Sequence, residues 1–117
     1  MAGNGRQTRS ICYVDDTVRD ILALAASDFP GPVTIGNPVE QSVLDLALLI
    51  RDLTGSASPV CHVPRPHDDP SVRCPDTTLA TQRLGWRPEV DAADGLRRTI
   101  AWFRTEMGAP EAPIVEV

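Results

Sequence analysis

The chain has 117 residues, a formal charge of −5 and 42% apolar residues, enough for one domain with its own core and no metal or disulfide staple. Its basic residues are scattered, which argues against a nucleic-acid-binding face. No run of 18 apolar residues occurs and the N-terminus lacks a basic segment followed by an apolar one, so a soluble cytoplasmic protein with no membrane partner is expected. Cys12, Cys61 and Cys74 show no CxxC spacing and suit reduced thiols. All eleven basic residues are arginine, which excludes any mechanism that needs a lysine in this chain.

In chain order, Gly3 and Gly5 lead into Arg6 and Arg9, and Ser10 to Val14 reads as a short strand. Asp15 or Asp16 then caps a helix with a buried stripe of Val14, Val18, Ile21, Leu22 and Ala25, ended by Phe29-Pro30-Gly31-Pro32. Val33 to Ile35 is a second brief strand, stopped by the turn Gly36-Asn37-Pro38. Ser42 with Asp45 opens a helix whose wide apolar face (Val43, Leu46, Ala47, Ile50, Leu53) runs to Gly55, and this helix is expected to be central to the core. Pro59 to Val63 reads as a third strand.

Residues 64–75 hold four prolines and no apolar period, so they form a stiff loop of the kind that carries function. Asp76 caps a short helix ended by Gly85. Asp91 starts a last helix striped by Leu96, Ile100, Phe103 and Met107 and closed by Gly108. The domain is therefore expected to span 1–108, with 109–117 a loosely held tail. Three short strands and four helices in the order β-α-β-α-β-α-α predict a small α/β (α+β) layer.

The candidate chemistry is anion binding. Arg9, beside a strand, offers a planar fork of donors to two phosphate oxygens, although a surface ion pair with an aspartate is the simpler use of such a residue. Arg73 lies in the stiff loop among Asp68, Asp69 and Asp76. Gly3-x-Gly5 is not a dinucleotide fingerprint, because a strand follows it where a helix is required. Cys61, His62, His67, Asp68, Asp69 and Cys74 match no zinc spacing, and no nucleophile elbow or Ser/His/Asp set stands out. Trp86 and Trp102 are read as core anchors, and Asp15-Asp16 as a helix cap.

Four stretches together carry a family resemblance: Gly-Arg-Gln-Thr-Arg-Ser-Ile-Cys-Tyr-Val-Asp-Asp at 5–16, Ile-Gly-Asn-Pro at 35–38, Asp-Asp-Pro-x-x-Arg-x-Pro-Asp at 68–76, and Leu-Gly-Trp-x-Pro at 84–88. In this order and spacing they resemble the C-terminal domain of extended short-chain dehydrogenases acting on nucleotide sugars, UDP-glucuronate decarboxylases first and dTDP-glucose 4,6-dehydratases next.

The resemblance implies a UDP- or dTDP-sugar partner, with Arg9 on the diphosphate, Arg73 closing on phosphates and ribose, and Asn37 near the same group. It also implies that Gln7 and Tyr13 shape the nucleotide pocket. In such enzymes an N-terminal Rossmann domain holds NAD and a Tyr-x-x-x-Lys dyad. Here no lysine exists, and Tyr13, the one tyrosine, is followed four positions on by Thr17. The chain alone is thus expected to bind no cofactor and to be inactive, with NAD belonging to a full-length parent. A self-standing, non-catalytic binding or interaction module is the rival expectation. The apolar face of the helix over 16–26, normally turned to the Rossmann domain, is expected to be partly uncovered or covered by self-association.

Overall fold

Serine at 42 and glycine at 55 set the limits of the best-defined element. In the computed structural model, which describes residues 1–108, helix α2 (Val43–Thr54) starts where the Ser42 hydroxyl accepts from Asp45 N at 3.0 Å. It ends at Gly55, whose φ of 67° is a left-handed cap open to glycine. Asp91 caps α4 (Ala92–Glu106) in the same way, accepting from Asp94 N at 2.7 Å. The two helices pack together, and Arg104 donates to the carbonyl of Thr54 at the end of α2.

The remaining helices are α1 (Val14–Ala25) and α3 (Thr78–Leu84), in contact with each other. The sheet consists of β1 (Thr8–Arg9) and β2 (Gln41–Ser42), antiparallel, with Thr8 opposite Ser42 and Arg9 opposite Gln41. A single parallel bridge joins Ala2 to Val63. The small α/β architecture with four helices is as the sequence suggests.

The strands differ from expectation. The first is two residues long and lies ahead of Ser10–Val14, because Val14 already belongs to α1 and Tyr13 is its N-cap. Val33–Ile35 forms no strand, and of Pro59–Val63 only Val63 takes part in a bridge. Val33–Ile35 has no backbone partner among the described residues, and 59–63 pairs only at Cys61 and Val63 with residues 1–3, too short a match to make a strand, because β-propensity without a longer partner does not make a sheet. The tail 109–117 lies outside the described residues.

Helix α1 is turned the opposite way from its pattern. Val14, Val18, Ile21 and Leu22 are 48–63% exposed, while Asp16 and Asp20 are buried. The uncovered apolar face anticipated for this helix is therefore present, and the stripe is not buried within the chain.

Asp16 is not a cap. Its carboxylate accepts from Glu89 N (3.1 Å), Val90 N (3.0 Å) and Arg19 (2.9 Å), and its carbonyl accepts from the Trp86 indole at 3.0 Å. Trp86 is the large buried anchor, with Ala80 and Leu46 the other buried apolar residues among those described. Trp102, the other expected anchor, is 58% exposed, and Phe103 and Met107 of the expected α4 stripe are also exposed. Glycine occupies the inner face of α4 instead: at Gly95 an added Cβ would stand 3.3 Å from Tyr13 Cβ.

Candidate functional site

Strand β1 is short, but its side chains and those of the proline-rich loop form a dense polar cluster. Gln7 is buried and donates to Ala2 O at 2.8 Å, and Thr8 turns outward to the Glu40 carboxylate at 2.7 Å. Arg9 reaches across to the loop. Its Nη1 donates to Thr8 O (2.6 Å) and Pro70 O (3.0 Å), and its Nη2 to the Asp69 carboxylate.

The other Asp69 oxygen accepts from Arg65 Nε at 3.0 Å, and Arg65 Nη2 donates to Asp69 O at 2.8 Å and Ser71 Oγ at 3.3 Å. One carboxylate thus sits between two guanidinium groups, so the Arg9–Asp69–Arg65 trio by itself carries a net positive charge within an acidic chain.

The loop is stitched down on both sides of Arg73. Upstream, Thr8 N donates to Ser71 O at 2.8 Å. Downstream, the Cys74 thiol donates to Pro38 O at 3.2 Å, and Pro75 lies so close to Gly36 that an added Cβ would stand 2.9 Å from its ring. Gly36, at φ 150°, is the residue that permits this approach. Arg73 therefore projects from a fixed segment between β1 and the 36–38 turn. It is exposed and makes no ion pair among the described residues.

Asn37, on that turn, is buried. Its side-chain oxygen accepts from Val39 N at 3.0 Å, and it lines a pocket of about 430 Å³ with Gln41, the residue opposite Arg9. Four sequence-predicted residues, Gln7, Arg9, Asn37 and Arg73, thus lie on adjoining segments.

Tyr13 stands apart from them. It lines a larger cleft of about 670 Å³ between the start of α1 and α4, with Val14, Leu96, Trp102 and Phe103, and its ring lies under Arg98. This cleft is mainly apolar, it is larger than the pocket at Asn37, and the arginine that lines it is Arg98 and not Arg9 or Arg73.

An aspartate partner for Arg9, the simpler use expected of it, is present, but sequence reasoning did not identify that partner as Asp69 and missed the part played by Arg65. Asp69 reads in sequence as a neighbour of Arg73, and only the fold brings residue 9 to residue 69.

No protein-family model matches the chain. It is 42% identical over 105 residues to UDP-glucuronic acid decarboxylase 1 of Xenopus tropicalis, covering 90% of this chain and 25% of that protein. Its fold matches UDP-glucose 4-epimerase of Thermotoga maritima, solved with UDP-glucose, at a TM-score of 0.87 and 30% identity, over 92% of this chain and 35% of that one. The chain is homologous to nucleotide-sugar enzymes of the extended short-chain dehydrogenase family.

A further structural relative, MoeE5, solved with UDP-glucuronic acid and NAD, matches at a TM-score of 0.84 and 25% identity over 91% of this chain and 36% of that one. The chain spans about a quarter of the length of the frog decarboxylase. Its own Gly3-Asn4-Gly5 turn does not fit NAD. The turn precedes a strand, and the bare Cα of Gly5 is covered, since an added Cβ would stand 2.6 Å from Met1 Sδ and 2.8 Å from Leu44 Cβ. A dinucleotide turn needs that approach free for the pyrophosphate. Among the described residues no helix is long and apolar enough to cross a membrane, and no group of three metal-capable side chains is formed.

Proposed function

We propose that this chain supplies the nucleotide-diphosphate grip of an NAD-dependent nucleotide-sugar decarboxylase, dehydratase or epimerase, and not its oxidation step. Arg9 and Arg73 contact the phosphates of a UDP- or dTDP-sugar, with Asn37 beside them and Gln7 holding β1 from beneath. Tyr13 shapes the separate cleft between the start of α1 and α4. The observation that carries this reading is the placement of Arg73, exposed and without an ion pair among the described residues, on a loop fastened to both β1 and the Asn37 turn.

A rigid backbone spares the cost of ordering the loop when Arg73 meets a phosphate, and its fork can engage two oxygens at once. Gripping the remote diphosphate in this way orients the sugar for chemistry performed by other groups. The chain has no lysine, and Tyr13 is followed four residues later by Thr17, so the Tyr-x-x-x-Lys dyad implied by the resemblance is not formed from its residues.

The apolar face of α1, continuous at Val14 with the cleft walled by Trp102 and Phe103, is the surface on which the NAD-binding part of such an enzyme, or a second copy of the chain, would dock. That open face disfavours a self-standing binding module.

Calorimetric titration of the chain with UDP and with UMP tests the reading. UDP is expected to bind more tightly than UMP, and Arg73→Ala to weaken UDP binding roughly tenfold, as loss of a charge-assisted contact does. Equal binding of the two nucleotides, unaffected by Arg73→Ala, would overturn it.

A further inference from the structure

Arg9 can serve as a phosphate ligand only if something keeps its guanidinium in place, and the fold supplies it. A guanidinium has five N–H donors, of which Arg9 spends three on Thr8 O, Pro70 O and the Asp69 carboxylate. Arg65 also spends three, on Asp69 Oδ2, Asp69 O and Ser71 Oγ. Asp69 is common to both, and its side chain is 19% exposed against 24% for Arg9.

We infer that Asp69 is a positioning residue for nucleotide-diphosphate binding: its carboxylate, braced by Arg65, fixes Arg9 and ties β1 to the segment that carries Arg73. The inference rests on the diphosphate-binding reading above.

Physical chemistry assigns two opposite effects to the loss of Asp69. Removing a negative charge beside two arginines raises the local positive potential and by itself tightens the binding of any anion. Removing the clamp releases Arg9 and loosens the Arg73 segment, so each contact must be made by a side chain that is ordered only on binding, and affinity falls. For a positioning role the second effect wins. Arg65 acts on Arg9 only through Asp69, with one longer contact to Ser71 Oγ besides, so its loss costs less than that of Asp69. Because the clamp acts through Arg9, the effects of Asp69 and Arg9 are not additive.

The test is a double-mutant cycle on the 117-residue chain, with UDP as the probe and the amide NMR spectrum as a check that each variant is folded. Asp69→Ala is expected to weaken UDP binding roughly tenfold, to have little further effect in an Arg9→Ala background, and to be largely rescued by Asp69→Glu. Relaxation of the Arg9 side-chain Nε–H is expected to show a more mobile guanidinium in Asp69→Ala without ligand.

UDP binding that is unchanged or tighter in Asp69→Ala, or an Arg9 as ordered as in the unaltered chain, would overturn this inference and leave the diphosphate reading standing. A full effect of Asp69→Ala in the Arg9→Ala background would show a general structural role and overturn it as well. No UDP binding by the unaltered chain would remove the diphosphate reading, and this inference with it.

Discussion

Asp16→Ala is expected to destabilise the chain by about 3 kcal/mol, a fall of roughly 10 °C in Tm for a domain of this size. The reason is the number of groups that one carboxylate serves. It accepts from the backbone N–H groups of Glu89 and Val90, just ahead of α4, and pairs with Arg19, which in turn donates to Arg87 O and stacks over Trp86. Removing it leaves two backbone donors without their acceptor and loosens the segment that seats Trp86.

The same site carries a pH dependence. Burial alone would raise the Asp16 carboxyl, but hydrogen bonds from Val90 N, the Arg19 side chain and Glu89 N, together with the Arg19 charge, outweigh it and hold the group below its ordinary value of 3.8. A carboxyl lowered by folding contributes stability that is present above its unfolded value and is lost as pH falls through the folded one. The gap in Tm between the unaltered chain and Asp16→Ala is therefore expected to be constant near neutrality and to close on acidification below about pH 4. Thermal unfolding over that range reads it directly, and a gap that widens with acid would contradict the assignment.

Asp20→Ala should act in the opposite direction. One turn further along α1, Asp20 is 0% exposed, and neither carboxylate oxygen has a hydrogen-bond partner among the described residues. Burial pushes its carboxyl above the ordinary 3.8, and the Arg19 charge offsets this only in part. A group raised by folding favours the folded state fully below its unfolded value, and that contribution is lost as pH rises through the folded value. At pH 7 the charged side chain is therefore a liability, and alanine, also the better helix former, is expected to stabilise the chain by about 2 kcal/mol. The gain should shrink as pH falls towards 4, because protonation relieves the buried charge and the unfolded group is itself only partly ionised there. Urea unfolding at pH 7 and pH 4 gives both numbers, and a loss of stability at pH 7 would mean that the carboxylate has a partner in solution.

These two residues also show what could be read from the chain and what could not. The caps at Ser42, Gly55, Gly85 and Asp91 were legible, because each rests on a hydrogen bond or a backbone angle within a few residues of its own helix. The orientation of α1 was not. Its apolar stripe is real, but periodicity shows that two faces differ and does not say which one the chain covers. Here Asp16 meets partners 73 and 74 residues away, and the carboxylate face turns inward.

Trp86 and Trp102 make the same point, since equal hydrophobicity leaves one sealed against Asp16 and the other on an open face. At the candidate site, the stiffness of 64–75 and the presence of Arg9 and Arg73 were legible. The Arg9–Asp69–Arg65 clamp depends on a contact across 60 residues that no local pattern announces.

The central claim is that the arginine edge, and not the larger apolar cleft at Tyr13, receives a nucleotide diphosphate. Side-chain NMR of the chain during addition of UDP tests this most directly, with the Nε–H signals of Arg9 and Arg73 reporting on one place and the indole N–H of Trp102 on the other. The two arginine signals are expected to shift together and saturably while Trp102 stays still, and uridine should leave all three unmoved. Saturable UDP binding that shifts Trp102 and leaves both arginines in place would contradict the claim.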